Sequence, residues 1–271
     1  MTFKLPKLIA TSVVRGSVQG ESHGGIYTVD FEKKEAEQHV DWNTSNIDFE
    51  GRGADRGLRG ICFNEKDIYI AASDELFCYD KNFKNKGSIK NRYLKHAHEI
   101  CRMENRIFLT STGFDSLLSF NIETKQFDWG FQLRKEYDQW TGGLFDPRKS
   151  IGPRPVNDFH INMIDVSEDG IYFSGLRTEG LFLLKADNTV AKVCELPPGT
   201  HNPQFWNNGI IFNDTVADCL RFVPREGEEV AFKVITYKES DIEFAGIDDS
   251  KIARQGFARG LCTIENRFVV V

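Results

Sequence analysis

Long apolar runs are missing from this 271-residue chain. Nothing approaches the ~18 consecutive apolar residues of a membrane span, so no membrane partner is expected. Helical periodicity is almost absent, which argues against a helical solenoid. The N-terminal stretch MTFKLPKLIATSVVRG has no sustained apolar core and no small-residue cleavage site, so it does not read as a signal peptide. Clustered Lys and Arg are also lacking. With a formal charge of -6 and a pI near 5.6, nothing suggests a nucleic-acid surface. The six cysteines, at 62, 78, 101, 194, 219 and 262, contain no CxxC pair. Several fall in apolar strands and read as free buried thiols of a reducing compartment, hence a cytoplasmic location. Two familiar catalytic signatures fail as well. RGADRGLRG, from Arg52 to Gly60, is glycine-rich but lacks the Gly-Lys-Ser/Thr ending of a phosphate loop. Gly20-Glu21-Ser22-His23-Gly24 fits the Gly-Xaa-Ser-Xaa-Gly pattern but reads as a hairpin loop between β-rich runs, not as the strand-to-helix elbow of a serine hydrolase.

What the chain does have is aromatic material, with 22 Phe and a 12% aromatic share, ample for a core. It also has a repeat. Five anchors read Arg59-Gly60-Ile61-Cys62, His98-Glu99-Ile100-Cys101, His160-Ile161-Asn162-Met163, His201-Asn202-Pro203-Gln204 and Arg259-Gly260-Leu261-Cys262. Each is followed by a second β-rich run: DIYIAAS, RIFLTSTG, GIYFSGL, GIIFNDT and RFVVV. The first four add a turn and a third strand, and three of these add a more polar fourth.

The anchors lie 39, 62, 41 and 58 residues apart. Two spacings match the ~40–45 residues of a four-stranded propeller blade, and two carry roughly 20 extra. Such a sheet cannot bury both faces alone, and stacking blades around an axis solves the problem. The expected fold is therefore all-β, a single β-propeller domain over residues 1–271. At the N-terminus, KLIATSVV, GGIYTVDF and AEQHVDW supply second, third and fourth strands. At the C-terminus, RGLCTIENR and FVVV supply a first and a second. Both ends fill the second-strand position, so six blades with an incomplete last blade are favoured over a five-bladed ring.

The phrases HEICRMENRIFLTSTGFDSLLSFN, DFHINMIDVSEDGIYFSGL, LPPGTHNPQFWNNGIIF and ARGLCTIENRFVVV resemble a bacterial family of uncharacterised β-propeller proteins. Its blades open with His-Glu, His-Xaa-Asn, Pro-His-Xaa-Pro and Arg-Gly-Leu. The resemblance covers roughly residues 55 to 271. It departs at PGTHNPQ, where a Pro directly before the His is expected, and at FVVV, where such proteins continue and a truncated last blade is expected. The resemblance implies the fold and carries no function.

The first strand of each blade lines a propeller's channel. Arg59, His98, His160, His201 and Arg259 are therefore expected to face one another around one mouth. Three imidazoles suit a divalent metal such as Zn, Fe, Cu or Ni, or acid–base catalysis. The bland alternative is that each His caps its own strand through a backbone bond. Two guanidiniums beside a metal repel it unless an anion intervenes, so an acidic small molecule is the expected ligand, with or without the metal. Lyase, hydrolase or oxygenase chemistry all fit, and a non-catalytic propeller binding a protein partner is the competing function.

Glu99 is a candidate base, although neighbouring strand residues point to opposite faces and a salt bridge serves equally well. Asn162 shares the His160 face and is expected to reach the channel. Asp158 is expected to orient the His160 imidazole. Asp55 and Arg56 are candidate additions to the ring. Two insertions, 133–158 and 238–258, lead into His160 and Arg259. Trp140 and Phe145 of the first are candidate lid residues, against the alternative of a loop packed on its own aromatics. The sequences around His23, and DNTV and FNDT, read as turns.

Overall fold

The structure is a computed structural model that describes residues 3–14, 17, 21–43, 57–236 and 258–271. Asp55, Arg56 and nearly all of the 238–258 insertion lie outside the described residues. Among those described, regular structure is almost entirely antiparallel strand, and no helix is long and apolar enough to cross a membrane.

The strands form six small sheets, each a simple meander. The first holds β1 (Leu8–Thr11), β2 (Gly25–Asp30) and β3 (Glu35–Asp41). The second holds β4 (Ile61–Phe63), β5 (Asp67–Ala72), β6 (Glu75–Asp80) and β7 (Asn85–Lys90). The third holds β8 (Ile100–Met103), β9 (Arg106–Ser111), β10 (Ser116–Asn121), β11 (Gln126–Glu136) and β12 (Gln139–Phe145). The fourth holds β13 (Ile161–Ser167), β14 (Gly170–Gly175), β15 (Gly180–Leu184) and β16 (Val190–Glu195). The fifth holds β17 (Thr200–Trp206), β18 (Gly209–Asp214), β19 (Cys219–Pro224) and β20 (Val230–Lys233). A hairpin of β21 (Cys262–Ile264) and β22 (Phe268–Val270) stands last.

This is a β-propeller of small, mostly four-stranded sheets. The blade number is five rather than the favoured six. Five sheets have three to five strands, whereas the last hairpin has two and is too short to make a blade. The hairpin instead fills the seam where the ring closes. On one side it receives hydrogen bonds from the fifth sheet, as when the Trp206 indole N–H donates to the Glu265 carbonyl at 3.0 Å. On the other side Phe268 lies 5.0 Å from the N-terminal Phe3 between ring centroids.

Packing between neighbouring sheets follows from two-residue alternation in strands with apolar residues on both faces. On β5, Ile68, Ile70 and Ala72 pack with Ile26 and Trp42 of the first blade. The intervening Tyr69 and Ala71 pack with Ile100, Leu109 and Phe120 of the third. Likewise Leu117 of β10 joins Phe173 and Phe182 of the fourth blade, while Leu118 turns to the second. Phe120, Phe131, Phe173, Phe182 and Phe212 are fully buried between blades, each contributing about 1.5–3 kcal/mol by removal from water.

The 133–158 insertion is not the loop expected. Its first half continues β11 and turns back as β12, pairing Lys135 with Trp140 and Gly130 with Phe145. This adds a fifth strand at the outer edge of the third blade, four strands from the innermost β8. Trp140 and Phe145 are therefore no lid. Trp140 packs on Phe159 and Phe182, 5.0 and 4.7 Å away between centroids, and Phe145 on Tyr93 at 5.2 Å.

The six cysteines are all free. Cys62 and Cys219 are buried, Cys78, Cys101 and Cys194 half-buried, and Cys262 exposed, so the reading of buried thiols holds for the first two and fails at Cys262.

Candidate functional site: the channel mouth

The inner strands begin at one mouth of the channel, and the five anchors converge there. The His98 and His160 rings meet edge to face, 5.3 Å between centroids. The Arg259 guanidinium donates through Nη1 to His201 Nε2 at 2.6 Å. Arg59 and Arg259 both lie near enough to act on His98 and on His201.

Backbone approach sets this convergence. The Gly60 N–H donates to the His98 carbonyl at 2.8 Å. A Cβ at Gly60 would meet the Ile100 nitrogen at 2.6 Å and the His98 oxygen at 2.7 Å, so the Arg-Gly anchor needs its glycine for the second blade to reach the third. A Cβ at Gly175 would likewise meet the Phe159 oxygen at 2.5 Å and the His160 oxygen at 2.9 Å.

His98 is buried, and its Nδ1 lies 2.8 Å from the His96 carbonyl and 2.9 Å from Thr112 Oγ1. A carbonyl only accepts, so Nδ1 carries the proton and Nε2 the lone pair. That Nε2 has no hydrogen-bond partner among the described residues. Thr112 is itself fixed by donating to the Ile161 carbonyl of the next blade at 2.5 Å. His201 repeats the pattern, with Nδ1 donating to the Gly199 carbonyl at 2.9 Å and Thr215 Oγ1 at 3.5 Å. Burial, and then the nearby Arg charges, hold His98 well below its usual pKa and bring His201 down to about 3. Both imidazoles are therefore neutral acceptors at neutral pH.

His160 is held differently. Its backbone is left-handed, at φ 54°. Its Nδ1 lies 3.1 Å from Asn157 Oδ1, so Asn157 orients the ring and Asp158 does not. Asp158 is exposed, and its backbone N–H donates to Asp115 at 2.6 Å. Asp115 is the residue that organises this segment. Its fully buried carboxylate accepts from the backbone N–H groups of Asp158, Phe159 and His160, the last two at 3.1 and 3.0 Å. Burial raises its pKa, against the lowering by those three donors.

Asn162 is 1% exposed, and neither its Oδ1 nor its Nδ2 has a hydrogen-bond partner among the described residues. It occupies a bulge where the register of β13 on β14 shifts.

Glu99 points towards the channel axis. Its Oε1 lies 3.4 Å from Nδ2 of Asn202, which comes from the fifth blade and also donates to the Arg259 carbonyl at 2.8 Å. No salt bridge engages Glu99 among the described residues, which removes that alternative. Glu99 keeps some solvent contact, yet the surrounding protein raises its pKa to about 7, against the lowering by Asn202 and Arg59.

The three histidines do not share a metal-ligand geometry. Among the described residues no three His, Cys, Asp or Glu side chains group as a cation site. His201 Nε2, the nitrogen a metal would take, already accepts from Arg259.

Beyond the mouth lies a cavity of about 350 Å³. Its walls follow directly from the anchors: Ile61, Glu99 to Cys101, Met163 to Asp165, Asn202, Gln204, Phe205, Leu261 and Thr263. Cys101 donates through Sγ to Asp165 Oδ1 at 3.3 Å, and burial pushes its thiol up to about 12.

Sequence reasoning placed the five anchors together. It missed Asp115, Asn157, Thr112, Thr215 and Asn202. Thr112 and Asp115 sit in TGFD, between the second and third strands of their blade, and Thr215 ends FNDT, read as a turn alone. A threonine 14 residues after both His98 and His201 was the available signal.

No family model matches the sequence, and no curated protein does. Among solved structures the chain resembles β-propellers. A protein of unknown function from Bacteroides caccae aligns at 10% identity over 83% of this chain and 73% of that one, with a TM-score of 0.53. Selenomethionine-substituted virginiamycin B lyase from Staphylococcus aureus aligns at 10% identity over 83% and 69%, with a TM-score of 0.49. A chain of the mitotic checkpoint complex aligns at 9% identity over 83% and 73%, also at 0.49. At these identities the likeness concerns the fold alone.

Proposed function

We propose that the channel mouth binds an acidic small molecule, with Arg59 and Arg259 as its anion-binding groups. The observation that carries this reading is that the charges of Arg59 and Arg259 both bear on His98 and His201, whose rings stay neutral, so two guanidiniums serve one mouth. A carboxylate or phosphate meets them through the planar donor fork of arginine. His98 Nε2 supplies an acceptor, Asn162 an unmatched buried amide, and Glu99 a proton exchanged near pH 7. That set supports proton-transfer chemistry, as in a lyase or hydrolase. It supports a divalent metal less, because Arg259 holds His201 Nε2 and the two guanidiniums oppose a cation.

The test is thermal melting of the full chain with citrate, malonate, glutarate and phosphate, beside an Arg59→Ala/Arg259→Ala variant. A ligand at 100 times its Kd should stabilise the parent by about 2.7 kcal/mol and the variant hardly at all. Equal melting in every acid would remove the reading and leave a protein-binding propeller in its place. Elemental analysis of protein made without a metal-affinity tag should show no stoichiometric metal. A stoichiometric metal lost in His160→Ala would reverse that assignment.

A further inference from the structure

The cavity of about 350 Å³ is a space of its own, at the lower end of small-molecule sites. Segments at β4, β8, β13, β17 and β21 wall it, and none of the five anchors lines it. Among the described residues its only charged lining groups are Glu99 and Asp165, and neither makes a salt bridge. Glu99 engages one oxygen, Oε1, in its 3.4 Å contact with Asn202. Asp165 engages one, Oδ1, with the Cys101 thiol at 3.3 Å and the Val166 N–H at 2.9 Å. Their second oxygens have no hydrogen-bond partner among the described residues. The amides on the wall add to this. Asn202 is 6% exposed, and its Nδ2 donates to the Arg259 carbonyl, which leaves Oδ1 as an acceptor with no donor among the described residues. Gln204 likewise donates through Nε2 to the Leu261 carbonyl at 3.4 Å, and its Oε1 receives no bond from a described residue. Four side chains on one wall thus offer acceptors that the protein leaves unmatched, where buried polar atoms are ordinarily bonded.

From this acceptor excess we propose that the cavity binds a small aliphatic amine as its ammonium ion, with Glu99 and Asp165 as counter-ions. An ammonium has three donors and no acceptor, which matches a wall of carboxylate and amide oxygens. The rest of the wall is largely apolar, through Ile100, Met163, Ile164, Phe205 and Leu261, and suits the alkyl part. A metal ion fits less well. No three His, Cys, Asp or Glu side chains group as a cation site among the described residues, and a bare ion makes no use of the apolar wall. Burial holds the Glu99 pKa up at about 7, and a cation beside it offsets that cost. The Arg59 charge acts on Glu99 in the same sense, but Arg59 is not part of the wall. The amine site stands apart from the anion-binding reading, which concerns the ring at the mouth.

Isothermal titration of the full chain tests this at about pH 8, above the raised Glu99 pKa, so that both carboxylates are ionised. The probes are propylamine and butylamine, each beside the alcohol of the same shape, propanol and butanol. The amines are expected to bind at least about ten-fold tighter than the alcohols, because a charge-assisted bond is the stronger kind. Asp165→Asn and Glu99→Gln should each weaken amine binding by about ten-fold and leave alcohol binding within about two-fold, since only the charge is removed. If one variant melts early, the other carries the test. Alcohols binding as tightly as amines would overturn the proposal. So would amine affinity unchanged in the folded variants, or no amine binding at millimolar concentration. None of these outcomes bears on the anion-binding mouth, so the two readings fail separately.

Discussion

The third and fifth blades present the same residue in the same setting and use it differently. His98 and His201 each donate through Nδ1 to the carbonyl two residues before, and each has a threonine 14 residues later at that nitrogen. Repetition in sequence has repeated the bonds made within a blade. The opposite nitrogen is decided by what stands across the channel. Arg259 occupies Nε2 of His201, while Nε2 of His98 remains open to the mouth among the described residues. In the fourth blade the comparison breaks down, because Asp115 and Asn157 hold His160 in place of a threonine. A repeat thus fixes how a side chain is anchored, and its non-equivalent neighbours fix what it does.

The sharpest way to break the comparison is Asp115→Ala. It strands three backbone N–H groups, each costing about 1–3 kcal/mol if left unsatisfied. A loss of ~3 kcal/mol or more is expected in urea denaturation. A loss under ~1 kcal/mol would show that water replaces the carboxylate and that Asp115 does not organise the mouth.

The pH dependence of stability comes next, and its two contributions oppose each other. His98 and His201 have depressed pKa values, so their contribution is present above about 6.5 and lost as pH falls through the unfolded pKa towards the folded one. Glu99 is raised from 4.5 to about 7, so its contribution is present below 4.5 and lost as pH rises to 7. Glu99→Gln removes only the second. Between pH 4.5 and 6.5 its stability should rise more steeply with pH than the parent's, by up to about 1.4 kcal/mol per pH unit for one proton. Parallel profiles would show that Glu99 titrates normally.

Smaller effects are expected at the threonine beside His98. Thr112→Val removes a bond to the neighbouring blade as well as the contact to His98, and should cost about 1–2 kcal/mol in denaturation curves. A loss under about 0.5 kcal/mol would mean that the bond between blades adds nothing. The mildest test is NMR titration of the imidazoles. Arg259→Ala should raise the His201 pKa more than that of His98, and Arg59→Ala the reverse, because the nearer arginine dominates at each ring. The same ranking in both variants would contradict the geometry.

Much of the architecture was legible because a blade is a local object. Its strands alternate on both faces and its turns are short, so the anchors and blades could be read from spacing. The blade count was not legible, because it depends on how the two ends meet. FVVV reads as a second strand in isolation and becomes β22 of a hairpin only against Phe3 and the fifth blade. Trp140 misled for a related reason. Its Gly-Gly neighbours suggested a loop, but Gly142 lets the Phe131 ring lie against the β12 backbone, where a Cβ would meet that ring at 2.2 Å. Asp115 was hidden because its partners are backbone groups 43 to 45 residues away, which leave no pattern in side-chain identity.

The Asn202 side chain joins Glu99, 103 residues earlier, to the Arg259 carbonyl, 57 residues later. Such contacts form only after long stretches of chain have been brought round, and loop closure of that kind comes late and slowly in folding. Each blade can condense on its neighbour from local pairing. The mouth exists only once the circle is complete, which makes occupancy of the site a reporter of the last event in folding.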